Sequence, residues 1–75
     1  MPIDAELDTT GLNCPLPILK AKKALTALNS GQILRIVASD PSSVKDFEAF
    51  AKQAGHVLLE SREEDGRFHF LLRKT

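Results

Sequence analysis

With 75 residues and ten Lys+Arg set against ten Asp+Glu, the chain is one domain of zero formal charge. That balance excludes a global field drawing it to nucleic acid or a membrane surface, and no apolar run approaches membrane-spanning length. A single cysteine excludes a disulfide, a Cys-x-x-Cys redox pair and a structural zinc site.

What remains is a hydrophobic core. A chain this short buries only about 60 % of its unfolded surface, so its 43 % of hydrophobic residues must be packed compactly. One unpaired cysteine suits a reducing compartment. The opening Met1-Pro2-Ile3-Asp4-Ala5-Glu6 is acidic and lacks the basic-then-apolar order of a signal peptide. A cytoplasmic protein is expected.

Ala5-Glu6-Leu7-Asp8-Thr9 alternates with period two and predicts a short first strand with Leu7 inward. A corner follows, Gly11-Leu12-Asn13-Cys14-Pro15-Leu16-Pro17. Prolines at i and i+2 cannot sit inside a helix, but both are tolerated at or before its first turn, where amide protons lack intrahelical partners. Each pushes its predecessor, Cys14 and Leu16, towards extended torsions. Gly11 and Asn13 add turn chemistry.

The pattern therefore places a thiol on a stiff corner at a helix N-terminus, where the macrodipole favours a thiolate. A lone cysteine is also commonly a small buried hydrophobe without chemistry. The residues alone leave both readings open.

The first helix is predicted to run to about Asn29, with Ile18, Ala21, Leu25 and Leu28 as its core stripe and Asn29-Ser30-Gly31 as its stop. Its other face carries Leu16, Leu19, Lys20 and Lys23. Isolated surface leucines are ordinary; a pair beside a reactive corner suggests a docking patch. Lys20, Lys22, Lys23 and Lys45 form at most a modest basic rim.

Ile33-Leu34-Arg35-Ile36-Val37-Ala38 is a β-branched run and predicts the second strand. Arg35 places Ile33 and Val37 on the less buried face. The first helix then joins two parallel strands in a crossover. Asp40-Pro41 predicts the second helix, with Asp40 as N-cap and Pro41 at the first helical position. Ser43-Val44-Lys45-Asp46 is a weaker competing start. Val44, Phe47, Ala51 and Ala54 form its stripe, and Gly55 ends it.

Val57–Arg62 and Arg67–Arg73 read as two closing strands around Glu63-Glu64-Asp65-Gly66, since Asp-Gly between strand patterns signals a hairpin. Phe68, Phe70 and Leu72 alternate inward. The order β-α-β-α-β-β predicts a two-layer α/β sandwich, a mixed four-stranded sheet with both helices on one face. The other sheet face, carrying Arg35, His69 and Leu71, stays open.

Leu12-Asn13-Cys14-Pro15-Leu16-Pro17 resembles the Cys-Pro-x-Pro signature of the TusA/SirA-like family of small sulfur-carrier proteins. Its later landmarks follow in order: Ala38-Ser39-Asp40-Pro41, Gly55-His56 and Phe68-His69-Phe70-Leu71-Leu72-Arg73-Lys74. The likeness covers about Leu7 to Lys74. It implies the same two-layer sandwich and a Cys14 that carries sulfane sulfur as a persulfide, framed by Pro15 and Pro17. It also implies that the Asp-Pro loop of Asp40 lies near the thiol and helps in docking. Leu16 stands where thiouridine-pathway members commonly have an acid, and that position would meet the docking protein.

The leading expectation is a sulfur carrier taking sulfur from a cysteine desulfurase or a rhodanese-like donor. It would pass the sulfur to an acceptor in tRNA thiolation, molybdenum-cofactor synthesis or sulfur metabolism. Attack by a thiolate on a sulfane sulfur needs no cofactor, and no two of Cys14, His56 and His69 have a metal-ligand spacing. Two alternatives belong to other classes: a regulatory or RNA-binding module using the open sheet face, and a thiol redox sensor. Neutral charge and the lack of an aromatic on that face argue against RNA. A Cys14–histidine dyad would need His56 or His69 beside the thiol, which sequence does not place.

Overall fold

The computed structural model describes residues 3–75; Met1 and Pro2, the start of the acidic opening, lie outside the described residues. The elements are β1 (Ala5–Thr9), α1 (Leu16–Thr26), β2 (Ile33–Ala38), α2 (Ser43–Ala54), β3 (Val57–Glu64) and β4 (Arg67–Arg73). The sheet order is β1-β2-β4-β3. β1 and β2 are parallel, as expected for strands joined through a helix, and the other two pairings are antiparallel.

Register explains the core. Leu34 lies between Ala5 and Leu72, Ile36 between Leu7 and Phe70, and Ala38 between Thr9 and Phe68. Because side chains alternate along a strand, these rows share one face. Against them pack Ala21 and Leu25 of α1 with Phe47 and Ala51 of α2, all in one buried cluster. The rings of Phe47 and Phe70 are 4.7 Å apart, joining helix layer to sheet layer. Full burial of each such side chain contributes about 1.5–3 kcal/mol. Both helices thus cover one face, as the strand alternation predicts. Buried Thr9 satisfies its hydroxyl by donating to the Val37 carbonyl at 2.7 Å.

Three boundaries differ from the sequence reading. α1 stops at Thr26, three residues before the expected Asn29. Its last turn tightens, with the amides of Ala27 and Leu28 bonding three residues back. The Lys74 ammonium then donates to the carbonyls of Leu25 and Leu28, both at 2.7 Å. A cation from the far end of the chain satisfies the helix terminus that Gly31 was expected to close.

α2 begins at Ser43, not at Pro41, so the competing start is the real one. Asp40 accepts from the Ser42 amide at 3.0 Å through its side chain and from the Ser43 amide at 2.9 Å through its carbonyl. It shapes a turn before the helix and is not its N-cap. Gly55 ends α2 in the left-handed region, as expected.

The hairpin loop is two residues rather than four. Asp65 and Gly66 both have positive φ, the requirement of a type I′ turn, so Glu63 and Glu64 stay in β3. Arg62 there pairs with Glu60 and Glu64. A bulge falls between Leu58 and Glu60 on this outer strand. The face of β2 that carries Ile33, Arg35 and Val37 is the less buried one, as read, although Ile33 itself is buried outside the core cluster.

Candidate functional site

The first strand-to-helix corner is made of local bonds and two brought from elsewhere. After Thr9 the chain turns with the Leu12 amide donating to the Thr9 carbonyl at 3.1 Å. Thr10 folds back on Asp8, its amide and hydroxyl both donating to the carboxylate. Gly11 takes φ of 82°, accessible to glycine without strain, and its amide donates to the Ser39 hydroxyl at 2.8 Å. The Leu16 amide donates to the Asn13 carbonyl at 2.8 Å. Most important for the thiol, the Cys14 amide donates to the Asp40 carboxylate at 2.9 Å.

Pro15 occupies the position before α1, and Pro17 lies in its first turn with its side chain buried. Pro17 is therefore an anchor to the core as well as a stiffener. The Cys14–Pro15 peptide bond is cis. Cys14 itself is exposed, which rules out the buried-hydrophobe reading.

The thiol stands at a hollow between the two helices, about 300 Å³ in volume. Ile18, Leu19 and Lys22 line it from α1, and Asp46 and Phe50 from α2. The electrostatics reverse the sequence expectation. The Asp46 carboxylate on the same hollow pushes the Cys14 pKa up; desolvation and the charge of Asp40 act the same way.

The helix terminus offers few free donors to oppose this, and the sequence shows why. Two of the amides that would create its positive end are absent, because Pro15 and Pro17 have no N–H. A third, Leu16, is already bonded to Asn13.

Leu16 and Leu19 are exposed at 45 % and 54 %, far more than core leucines, and Lys20 and Lys23 are exposed too. Only Leu19 of these four reaches the hollow. Asp40 lies beside the thiol through its bond to the Cys14 amide, and that amide is the first cause of its lowered pKa.

The histidines lie apart from this hollow. His56 accepts from the Thr75 amide at 3.3 Å and faces the Phe50 ring at 5.8 Å. His69 is on the open sheet face, in a hollow shared with Arg35, Arg67, Glu6 and Asp8. That face mixes both charges and includes no aromatic ring besides histidine, which gives an RNA strand neither a basic track nor a stacking platform. Among the described residues no three metal-ligating side chains cluster, and no helix is long and apolar enough to cross a membrane.

Sequence reasoning missed Asp46, Phe50 and Ser39 as site residues. Asp46 carried a signal, since it closes the alternative helix start at Ser43. With α2 entered there, its first turn holds an acid.

Comparison with known proteins agrees with this geometry. The family described as Sulfurtransferase TusA matches residues 5–74. The sulfur carrier protein TusA of Allochromatium vinosum is 65 % identical over 72 residues, covering 96 % of this chain and 95 % of its own. That of Pseudomonas paraeruginosa is 41 % identical over 73 residues, covering 97 % and 92 %. In the crystal structure of the SirA-like protein from Desulfitobacterium hafniense, the same fold recurs with a TM-score of 0.83. Identity there is 27 %, over 92 % of this chain and 95 % of that one. The chain belongs to the TusA family.

Proposed function

We propose that this protein is a sulfur carrier that accepts sulfane sulfur on Cys14 and hands it to a second protein. One observation carries the assignment. The sole cysteine is exposed on a corner braced by Asp40, at the mouth of a hollow between two helices. The relatives named as sulfur carriers support the same reading.

The chemistry is an exchange. The Cys14 thiolate attacks the terminal sulfur of a donor persulfide, a new S–S bond forms, the donor's S–S bond breaks, and the donor thiolate leaves. In the second transfer, an acceptor nucleophile takes the terminal sulfur and Cys14 leaves as thiolate. No cofactor is required. A cysteine desulfurase or a rhodanese-like protein is the donor class; the acceptor belongs to tRNA thiolation, molybdenum-cofactor synthesis or sulfur metabolism. Pro15 and Pro17 restrict the corner, which lowers the ordering cost of entering a partner's site. Leu16, Leu19, Lys20, Lys23 and Asp40 form the docking rim around it.

Intact mass after incubation with a cysteine desulfurase and cysteine tests this directly. The protein should gain one sulfur atom, lose it to dithiothreitol, and show no gain as Cys14→Ser, which should melt as the native chain does. Absence of an adduct with both donor classes removes the assignment. Leu16→Glu and Leu19→Glu should raise the KM for loading while leaving circular dichroism unchanged. If either variant unfolds, those leucines are structural.

A further inference from the structure

Asp46 and Cys14 come from different elements and meet at one hollow. Asp46 is half-buried and, among the described residues, has no ion pair. Lys22 lines the same hollow but forms none with it. Asp40, the other acid near the thiol, is already engaged by the amides of Cys14 and Ser42. The charged groups around the sulfur are thus two carboxylates and one unpaired ammonium. One carboxylate is fixed to backbone, and one is free to meet a partner.

A thiolate forming there faces negative charge on the α2 side, which disfavours the anion. Asp46 therefore opposes the reactive form.

We propose that Asp46 is a positioning residue that keeps Cys14 unreactive in the free carrier, and that a lysine or arginine of the sulfur donor neutralises it on docking. The inference rests on Cys14 being the sulfur acceptor. Once the donor's cation pairs with Asp46, the thiol proton leaves to solvent and the thiolate attacks the donor's terminal sulfur. The Cys14 sulfur gains the new S–S bond, the donor's S–S bond breaks, and the departing donor thiolate takes up a proton. The free carrier is thereby protected from stray electrophiles, and reactivity is conferred by the right partner.

The test compares two reactions expected to move in opposite directions. Iodoacetamide alkylation is followed against pH for the native chain, Asp46→Asn and Asp46→Glu. Asp46→Asn should shift the profile to lower pH and accelerate alkylation at pH 7. Because nucleophilicity falls as acidity rises, each tenfold gain in thiolate should yield roughly a threefold gain in rate. Asp46→Glu should restore the native profile. Loading by a cysteine desulfurase with cysteine should instead show a raised KM for Asp46→Asn, since the docking pair is lost.

An unchanged alkylation profile in a folded Asp46→Asn protein overturns the restraint. Faster alkylation with an unchanged or lowered loading KM overturns the partner cation. If the native chain takes no sulfur at all, the carrier reading falls and the docking half with it, while a shifted profile still upholds the restraint.

Discussion

The corner after β1 and the corner after β2 leave adjacent parallel strands at the same end of the sheet, Thr9 beside Ala38. Each passes through a turn into a helix that lacks a side-chain N-cap bond. They differ in what holds them. The second corner is largely self-sufficient, with Asp40 binding the amides of Ser42 and Ser43. The first, which bears the thiol, borrows from the second: Ser39 receives the Gly11 amide and Asp40 the Cys14 amide. A corner with two prolines is stiff but poor in donors and carries no charge of its own. Its neighbour supplies the acceptors, and also the carboxylates that raise the thiol pKa. The reactive corner is thus positioned and restrained by the same adjacent loop and helix.

The coarsest way to break this arrangement is to remove the floor both corners stand on. Phe47 is fully buried against Phe70. Phe47→Ala should cost about 3–5 kcal/mol, against a total of roughly 4–11 kcal/mol for a domain of this length. Chemical denaturation should show a much lower midpoint. Both corners should lose order together, seen as coincident loss of amide protection at Cys14 and Ser42. Loss at only one would mean the corners do not share the core.

Asp40→Ala separates the corners. It deletes the clamp on Cys14 while leaving the core cluster intact. Loading by a cysteine desulfurase should fall by about ten- to a hundredfold, the scale of a mispositioned reacting group. Alkylation by a small reagent should rise, because one of the charges opposing the thiolate is gone. If loading is untouched, the borrowed bond has no functional weight.

Much of this architecture is legible in the sequence, because its signals are local. Val44, Phe47 and Ala51 repeat at helical spacing, although Ala54, read into the same stripe, is exposed, and Asp65-Gly66 announces the hairpin. Phe68, Phe70 and Leu72 alternate inward as read. Most of the failures involve distant partners. Nothing near Thr26 shows that Lys74 will take the last carbonyls of α1. The resemblance places the Asp40 loop near the thiol, as found, but nothing near Cys14 shows that this carboxylate, 26 residues on, takes the Cys14 amide, or that Asp46 lines the same hollow. Asp40-Pro41 looks like a cap and a first helical residue because the alternative use of that carboxylate lies across the fold. The thiolate expectation failed for a local reason too, since the prolines that place the corner also remove the amides that would have stabilised an anion.

Acid pH should loosen the clamp without mutation. The amides of Cys14 and Ser42 favour the charged form of Asp40 and hold its pKa below the ordinary 3.8. A carboxyl whose folded pKa is depressed stabilises the fold above its unfolded value, and that contribution is lost as pH falls through the folded one. The amide resonances of Cys14 and Ser42 should therefore titrate together with a midpoint under 3.8, and neither should do so in Asp40→Asn. A midpoint above that value would mean the carboxylate is not clamped in solution.

The smallest effect belongs to Ser39→Ala. Ser39 contributes one neutral acceptor to the Gly11 amide, at an exposed position where water can replace it. A neutral intramolecular hydrogen bond is worth about 0.5–1.5 kcal/mol net, against more for one to a charged group. Gly11 is also three residues from the sulfur, whereas Asp40 binds the amide of the cysteine itself. Ser39→Ala should therefore shift the denaturation midpoint slightly and leave desulfurase loading within about twofold of native. The pair of variants then weighs the two borrowed bonds against each other. A loss in Ser39→Ala as large as in Asp40→Ala would show that the second loop acts as a steric buttress, with its charge incidental. A large gap between them locates the positioning of the Cys14 backbone in the Asp40 carboxylate.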